Sequence, residues 1–328
     1  MTNIKTVLAG IRASGTLHIG NYLGAIKGML ELQDDPTFDT YYMVADVHGI
    51  TTPYNKDELA AGRRNVIVDY LAAGLDPEKS TIFIQSMVPE QLELSVYLAS
   101  VITVARMQHL PTFKEKVRQY PDNVTMALLN YPVLMSADIL AYKAGLVPVG
   151  LDQEPHLEVA REIARKMNEK YGTDFEEPRR FDTPGRSIPS LLGEGKMSKS
   201  VEGSYINLTD DLDTIANKLA RVPTDSGQGV SVPASGTVAN LLTFVEIFQG
   251  PAIRATYEHA YFSDGIKYKQ LKDDLSQAVY EYLKPIQLKK AELLKNHSYV
   301  DDAIATGIYK AREMAYKTVM EVRGKMGF

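Results

Sequence analysis

The sequence contains no cysteine among its 328 residues, which excludes disulfides, thiolate-ligated zinc, iron–sulfur clusters and a cysteine nucleophile. A chain built without cysteine fits a reducing compartment. Tryptophan is absent too, although 19 tyrosines and 9 phenylalanines keep the aromatic content ordinary. No run of about 18 apolar residues occurs, so no segment reads as a membrane-spanning helix. Met1 to Val7 has no apolar core of signal-peptide length and leads straight into a strand-like run, which predicts a cytoplasmic protein.

What is present is an ordinary globular composition, 45% hydrophobic and 23% charged, at a length that predicts one large domain and a smaller one. The formal charge of -5 is unevenly spread. Asp264 to Phe328 carries 12 Lys+Arg against 9 Asp+Glu, and the remainder carries 24 against 32. An acidic body with a slightly basic end suits a partner that touches that end alone.

Short apolar runs at Val7–Ile11, Tyr41–Asp46, Thr81–Ser86 and Leu146–Gly150 read as buried parallel strands. Helical periodicity separates or follows them at Lys56–Ala73, Glu90–Val104, Val124–Tyr142 and Pro155–Lys170. The last of these places Leu157, Ala160, Ile163, Ala164 and Met167 on one face. Alternation of this kind predicts an α/β fold, a doubly wound parallel, Rossmann-like sheet. Glu177 to Glu202 is loop-like, with Pro184, Pro189, Gly185, Gly193 and Gly195, and marks a hinge. Beyond it the pattern is helical at Leu241–Gln249, Tyr268–Leu283, Pro285–Lys295 and Val300–Lys325. The expected division is a catalytic domain over 1–203, with a helical insertion at about 76–145, and an all-helical domain over 204–328.

Two segments carry chemistry. The first βα junction, Gly10-Ile11-Arg12-Ala13-Ser14-Gly15-Thr16-Leu17-His18-Ile19-Gly20-Asn21, follows strand one and opens a helix whose unpaired N–H groups attract phosphate. It contains neither Gly-x-Gly-x-x-Gly nor Gly-x-x-x-x-Gly-Lys-Ser/Thr. The same residues also fit a structural use, with glycines in turns and a buried His18. The second segment, Lys196-Met197-Ser198-Lys199-Ser200, sets two lysines and two hydroxyls in a glycine-flanked loop that can surround a polyphosphate. A solvated basic loop is the plain alternative.

Together the two segments resemble the paired signatures of the class I aminoacyl-tRNA synthetases, His-Ile-Gly-His-like and Lys-Met-Ser-Lys-Ser, with Asn21 in the last place of the first. Gly150-Leu151-Asp152-Gln153 resembles an element of the tyrosyl and tryptophanyl subgroup, and Tyr131 to Leu140 resembles the amino-acid-binding helix of its tryptophanyl members. The resemblance covers essentially the whole chain. It implies that tryptophan reacts with ATP to give an adenylate and pyrophosphate, and that the acyl group then passes to tRNA.

The resemblance also implies roles. His18, Asn21, Lys196 and Lys199 take the catalytic positions. ATP is met by Arg12, Ala13, Ser14, Gly20, Asn21, Gly150, Leu151, Asp152, Ile188, Lys196, Met197, Ser198, Lys199 and Ser200, with Lys114 or Lys116 as helpers. Arg12 stands where glutamine is frequent in the family. The tryptophan end takes Asp138, Met135, Tyr131, His48, Gln153, Leu8 and Gly10. Magnesium is expected with ATP, with no dedicated carboxylate cage, no iron–sulfur cluster and no protein-ligated zinc. The partners implied are tRNA at the basic end, a second copy of the chain through the helices between Asp76 and Tyr142, and no membrane.

The subgroup has a physical rationale. The strand-one position that offers a hydroxyl in tyrosyl enzymes falls on Leu8 here, while Asp138 remains as an acceptor for an indole N–H. On this reading phenylalanine leaves Asp138 unpaired, a defect that can reject a substrate by a factor on the order of 10⁴ to 10⁵. Two rivals remain: a small-molecule nucleotidyltransferase, and an RNA-binding module on a decayed synthetase. ATP–pyrophosphate exchange with each amino acid separates all three.

Overall fold

The computed structural model describes residues 4–13, 15–182, 188–199 and 201–328. Among them the strands are β1 (Lys5–Arg12), β2 (Phe38–Ala45), β3 (Thr81–Ile84), β4 (Leu146–Val147) and β5 (Arg179–Arg180). They form one parallel sheet in the order β3-β2-β1-β4-β5. The chain winds outward from β1 to β3 on one side and through β4 to β5 on the other, so the reversal lies between β1 and β4. Ligands of such sheets bind beyond the strand carboxyl ends at that reversal. Here those ends are Arg12 and the residues after Val147.

The helices are α1 (Ile19–Asn21), α2 (Lys27–Asp34), α3 (Lys56–Ala72), α4 (Pro89–Ala99), α5 (Val104–Gln108), α6 (Pro111–Gln119), α7 (Met126–Ala141) and α8 (Glu154–Tyr171). After the sheet come α9 (Leu212–Ala220), α10 (Gly236–Gln249), α11 (Pro251–Phe262), α12 (Tyr268–Leu293) and α13 (His297–Met326). The α/β expectation holds, and the inward face expected of α8 is fully buried, with Leu157, Ala160, Ile163, Ala164 and Met167 each 0% exposed. Several boundaries differ. The helix expected over Glu90–Val104 ends at Ala99, and α5 starts anew behind a Thr103 cap. Pro285, expected to begin a helix, lies inside the continuous α12. The short β5 falls in the stretch read as loop, and α9 and α11 lie where no helix was expected.

The chain forms two compact units: Met1–Gly15, Gly28–Pro184 and Leu293–Phe328 make the first, and Thr16–Lys27 with Gly185–Glu292 the second. The expected single cut at 203 therefore corresponds to neither limit. The reason lies in α13, which docks on the first unit. Gly307 lets it approach β3 so closely that an added Cβ would lie 1.7 Å from the Ile82 carbonyl oxygen. Arg312 grips Glu90 of α4 at 2.8 and 3.0 Å, and the Thr318 hydroxyl donates to the Ala141 carbonyl at 2.8 Å.

Candidate active site

In the first unit, the carboxyl ends of β2 and β3 and the helices α4 and α7 converge on one side chain. Tyr131, Met135 and Asp138 sit at i, i+4 and i+7 of α7, and so share a face. Asp138 is 1% exposed, in the core and not on a helix surface. Its carboxylate takes three donors among the described residues. His48 Nε2, from the turn after β2, donates to Oδ2 at 2.7 Å. Gln85 Nε2, beyond β3, reaches Oδ1 at 2.9 Å and Oδ2 at 3.0 Å, and Gln91 Nε2 on α4 reaches Oδ1 at 2.9 Å. Carboxylate oxygens only accept, which fixes how both amides and the imidazole are turned. Gln85 Oε1 in turn accepts from the Val47 and His48 amides at 3.1 and 3.4 Å. His48 Nδ1 and Gln91 Oε1 are buried with no hydrogen-bond partner among the described residues.

This arrangement corrects the expectation about phenylalanine. A ligand without a ring N–H does not strand Asp138, because the carboxylate already has protein donors of its own. Gln85 and Gln91 were not among the expected site residues. Gln85 was detectable, as a polar residue at the carboxyl end of an apolar parallel strand, where such sheets bind ligands. Nothing distinguishes Gln91 from any other polar helical residue until α4 is packed against α7.

Beside this cluster runs a second polar chain. The Tyr131 hydroxyl donates to His156 Nε2 at 2.5 Å, His156 Nδ1 donates to Gln153 Oε1 at 3.1 Å, and Gln153 Nε2 donates to Asp152 Oδ2 at 2.9 Å. Burial lowers the His156 pKa to about 4 against the pull of Asp152, with His48 and Arg12 pushing the same way as burial. The imidazole is therefore neutral, with its proton on Nδ1. Burial also pushes the Tyr131 hydroxyl above its ordinary range, and the Arg12 charge partly offsets it. Arg12 thus acts electrostatically on the Tyr131–His156 pair, at the amino-acid end of the expected residues. With Ala13 it also lines a pocket of about 250 Å³ whose other walls are Gly49, Thr52 to Asn55, Glu58 and Leu59. Leu8 is buried in the core, and Gly10 packs beside Met43, whose sulfur lies 3.4 Å from Gln91 Nε2.

Gly150, Leu151 and Asp152 are exposed at the head of α8. Lys116 bonds Gln119 and covers the Tyr120 ring, and Lys114 is exposed on the same helix. The expected Ser14 and Ser200 lie outside the described residues.

In the second unit the two motifs meet. His18 caps α1 reciprocally: its Nδ1 accepts from the Asn21 amide at 3.3 Å, and Asn21 Oδ1 accepts from the His18 amide at 3.1 Å. Asn21 therefore spends its carbonyl on the helix start. An added Cβ at Gly20 would lie 2.9 Å from the His18 ring and 3.1 Å from Met197 Cβ, so only glycine lets the helix start and the lysine segment pack this closely. Burial, with the Lys199 charge, lowers the His18 pKa to about 4. With Nδ1 accepting, the neutral ring carries its proton on Nε2, a donor that needs no charge. Met197 is buried and its amide donates to the Ile188 carbonyl at 3.0 Å, while Lys196 is exposed and Ser198 and Lys199 are half-buried. Ile188 is 3% exposed, so its side chain serves packing.

A doubly wound parallel sheet, a histidine-capped helix start packed on a lysine segment, and a buried carboxylate with amide donors are the features expected of a nucleotide-binding α/β enzyme. The sequence model of the tRNA synthetases class I (W and Y) matches residues 2–284, and the chain belongs to that family. It is 39% identical to the tryptophan–tRNA ligase of Porphyromonas gingivalis, over 99% of this chain and 100% of that one. It is also 39% identical to the tryptophan–tRNA ligase of Clostridium acetobutylicum, over 99% and 98%. The structure of tryptophanyl-tRNA synthetase from Campylobacter jejuni complexed with ADP and tryptophan superposes with a TM-score of 0.86 at 30% identity, covering 98% of this chain and 100% of that one.

Proposed function

We propose that the chain is a tryptophan–tRNA ligase. It activates L-tryptophan with ATP to tryptophanyl-adenylate and pyrophosphate, then transfers the tryptophanyl group to tRNA(Trp). The observation that carries this reading is a buried acceptor, Asp138, on a chain that aligns end to end with tryptophan–tRNA ligases.

The substrate carboxylate attacks the α-phosphate of ATP, and pyrophosphate leaves. A ribose hydroxyl of the tRNA terminus then attacks the acyl carbon, and AMP leaves. Neither step needs a protein nucleophile, so the residues act by positioning and by stabilising charge on phosphate oxygens. His18 serves as a neutral Nε2 donor, and the backbone amides opening α1 add to it. Lys196 and Lys199 hold the side from which pyrophosphate departs, and magnesium arrives with ATP. Asp138, His48, Gln85 and Gln91 form the ring-binding end, with Tyr131, His156, Gln153 and Arg12 beside it.

The assembly reading is supported by exposed apolar side chains in and around α4, α5 and α7: Leu92 at 38%, Val96 at 70%, Val104 at 57% and Met126 at 71%. They suit a homodimer contact. For tRNA, the support is the solvent side of α13, where Tyr309 and Tyr316 are 70% and 55% exposed near Lys310 and Lys317, an aromatic and basic pairing suited to nucleic acid. Among the described residues no helix is long and apolar enough to cross a membrane. With the absence of cysteine, this accords with action in the cytoplasm.

The test uses the composition itself. The chain has no tryptophan, so any indole fluorescence in a mixture with the protein belongs to the ligand. Titration is expected to give a saturable change in that emission, and ATP–pyrophosphate exchange is expected with tryptophan alone of the twenty amino acids. Exchange with tyrosine, or with none, would overturn the assignment.

A further inference from the structure

The described donors to Asp138 make four contacts, and a carboxylate accepts at about four positions, so a substrate ring N–H finds no vacant acceptor unless a protein donor withdraws. The three donors are not equally held. Gln85 is fixed at both ends, its Nε2 on both carboxylate oxygens and its Oε1 on two backbone amides. His48 makes the shortest contact, 2.7 Å, from the turn that supplies those amides. Gln91 touches a single oxygen at 2.9 Å, and its own Oε1 is buried with no hydrogen-bond partner among the described residues. Its Nε2 also has a second acceptor in reach, the Met43 sulfur at 3.4 Å, weak but sufficient to receive the amide.

We propose that Gln91 is a placeholder for the substrate's indole N–H. It completes Asp138 Oδ1 while the pocket is empty and withdraws toward Met43 when tryptophan arrives. This inference rests on the reading of Asp138 as the indole acceptor. Tryptophan binding then exchanges one hydrogen bond for another, and a ligand without the N–H leaves Gln91 where it is. Gln91 is a positioning residue that sets how strongly the N–H is rewarded.

The experiment compares steady-state ATP–pyrophosphate exchange with tryptophan and with its benzothienyl analogue, which lacks the ring N–H, in the wild type, Gln91→Met, Gln91→Asn and Asp138→Asn. Without the amide, the substrate alone completes the carboxylate, so Gln91→Met is expected to lower KM for tryptophan by roughly tenfold, the worth of one hydrogen bond to a charged group. KM for the analogue is expected to stay within about twofold, so discrimination between the two widens. Gln91→Asn, one methylene shorter, draws the amide back and is expected to act in the same direction, which covers the case of a misfolded methionine variant. A structural or substrate-contacting role has the opposite sign, and a rise in KM for tryptophan in the Gln91 variants overturns the proposal. Asp138→Asn separates the two levels. Unchanged KM for tryptophan there removes Asp138 as the acceptor, and the placeholder with it. A rise there together with a rise in the Gln91 variants removes the placeholder alone.

Discussion

His18 and His156, 6% and 0% exposed, are both kept neutral by burial, and that neutrality ties the proposed chemistry to stability. A histidine in the unfolded chain takes its proton near 6.5, whereas these two take theirs only near 4. Between those values the unfolded state binds more protons, so the stabilisation is complete above about pH 6.5 and is lost as pH falls toward 4. At each site the stability lost on full acidification is at most on the order of 3 kcal/mol. The depressed carboxylates lose their contributions only below their ordinary values, 3.8 for Asp174 and Asp211 and 4.5 for Glu158 and Glu162, so among the depressed groups the window between pH 7 and pH 5 belongs to the histidines. Urea midpoints are expected to drop between pH 7 and pH 5 in the wild type and to drop less in His156→Gln. A flat midpoint over that range would contradict neutral, buried imidazoles. At this scale the sequence made His18 and Asp138 visible through their motifs. The neutral tautomer of His18 and the donor shell of Asp138 were not visible, because each depends on residues from 3 to 90 positions away.

Among the elements, α13 shows most directly how packing overrides local pattern. Gly307 in mid-helix costs roughly 1 kcal/mol of helix propensity relative to alanine, yet it sits where α13 meets the Ile82 carbonyl. Gly307→Ala is therefore expected to destabilise by about 2–3 kcal/mol through the enforced shift. Gly324→Ala, on the same helix with nothing within 4 Å of the new Cβ, is expected to be neutral or to stabilise by up to ~1 kcal/mol. Thermal unfolding of the two variants checks the contrast, and equal effects would mean that α13 does not need its close seat on β3. The face of α8 was legible because its burial follows a single 3.6-residue period. The continuity of α12 through Pro285 was not, since proline ordinarily ends a helix and only the packed context retains it.

For the whole molecule, the exposed Val96 and its neighbour one turn back, Leu92, offer α4 as an apolar contact. Val96→Glu is expected to convert the proposed homodimer to monomers in sedimentation equilibrium, whereas a wild type that is monomeric at micromolar concentration would dismiss that proposal. The alternation of apolar runs with helical periods determined the parallel α/β sheet, and two short motifs determined the family, because both are local patterns repeated along the chain. Which segments belong together was decided only in three dimensions. Residues 16–27 join 185–292, and 293–328 return to the sheet, because Gly20 fits against Met197 and Gly307 against Ile82. Those contacts join residues far apart in the sequence, and no period or spacing within a segment encodes them.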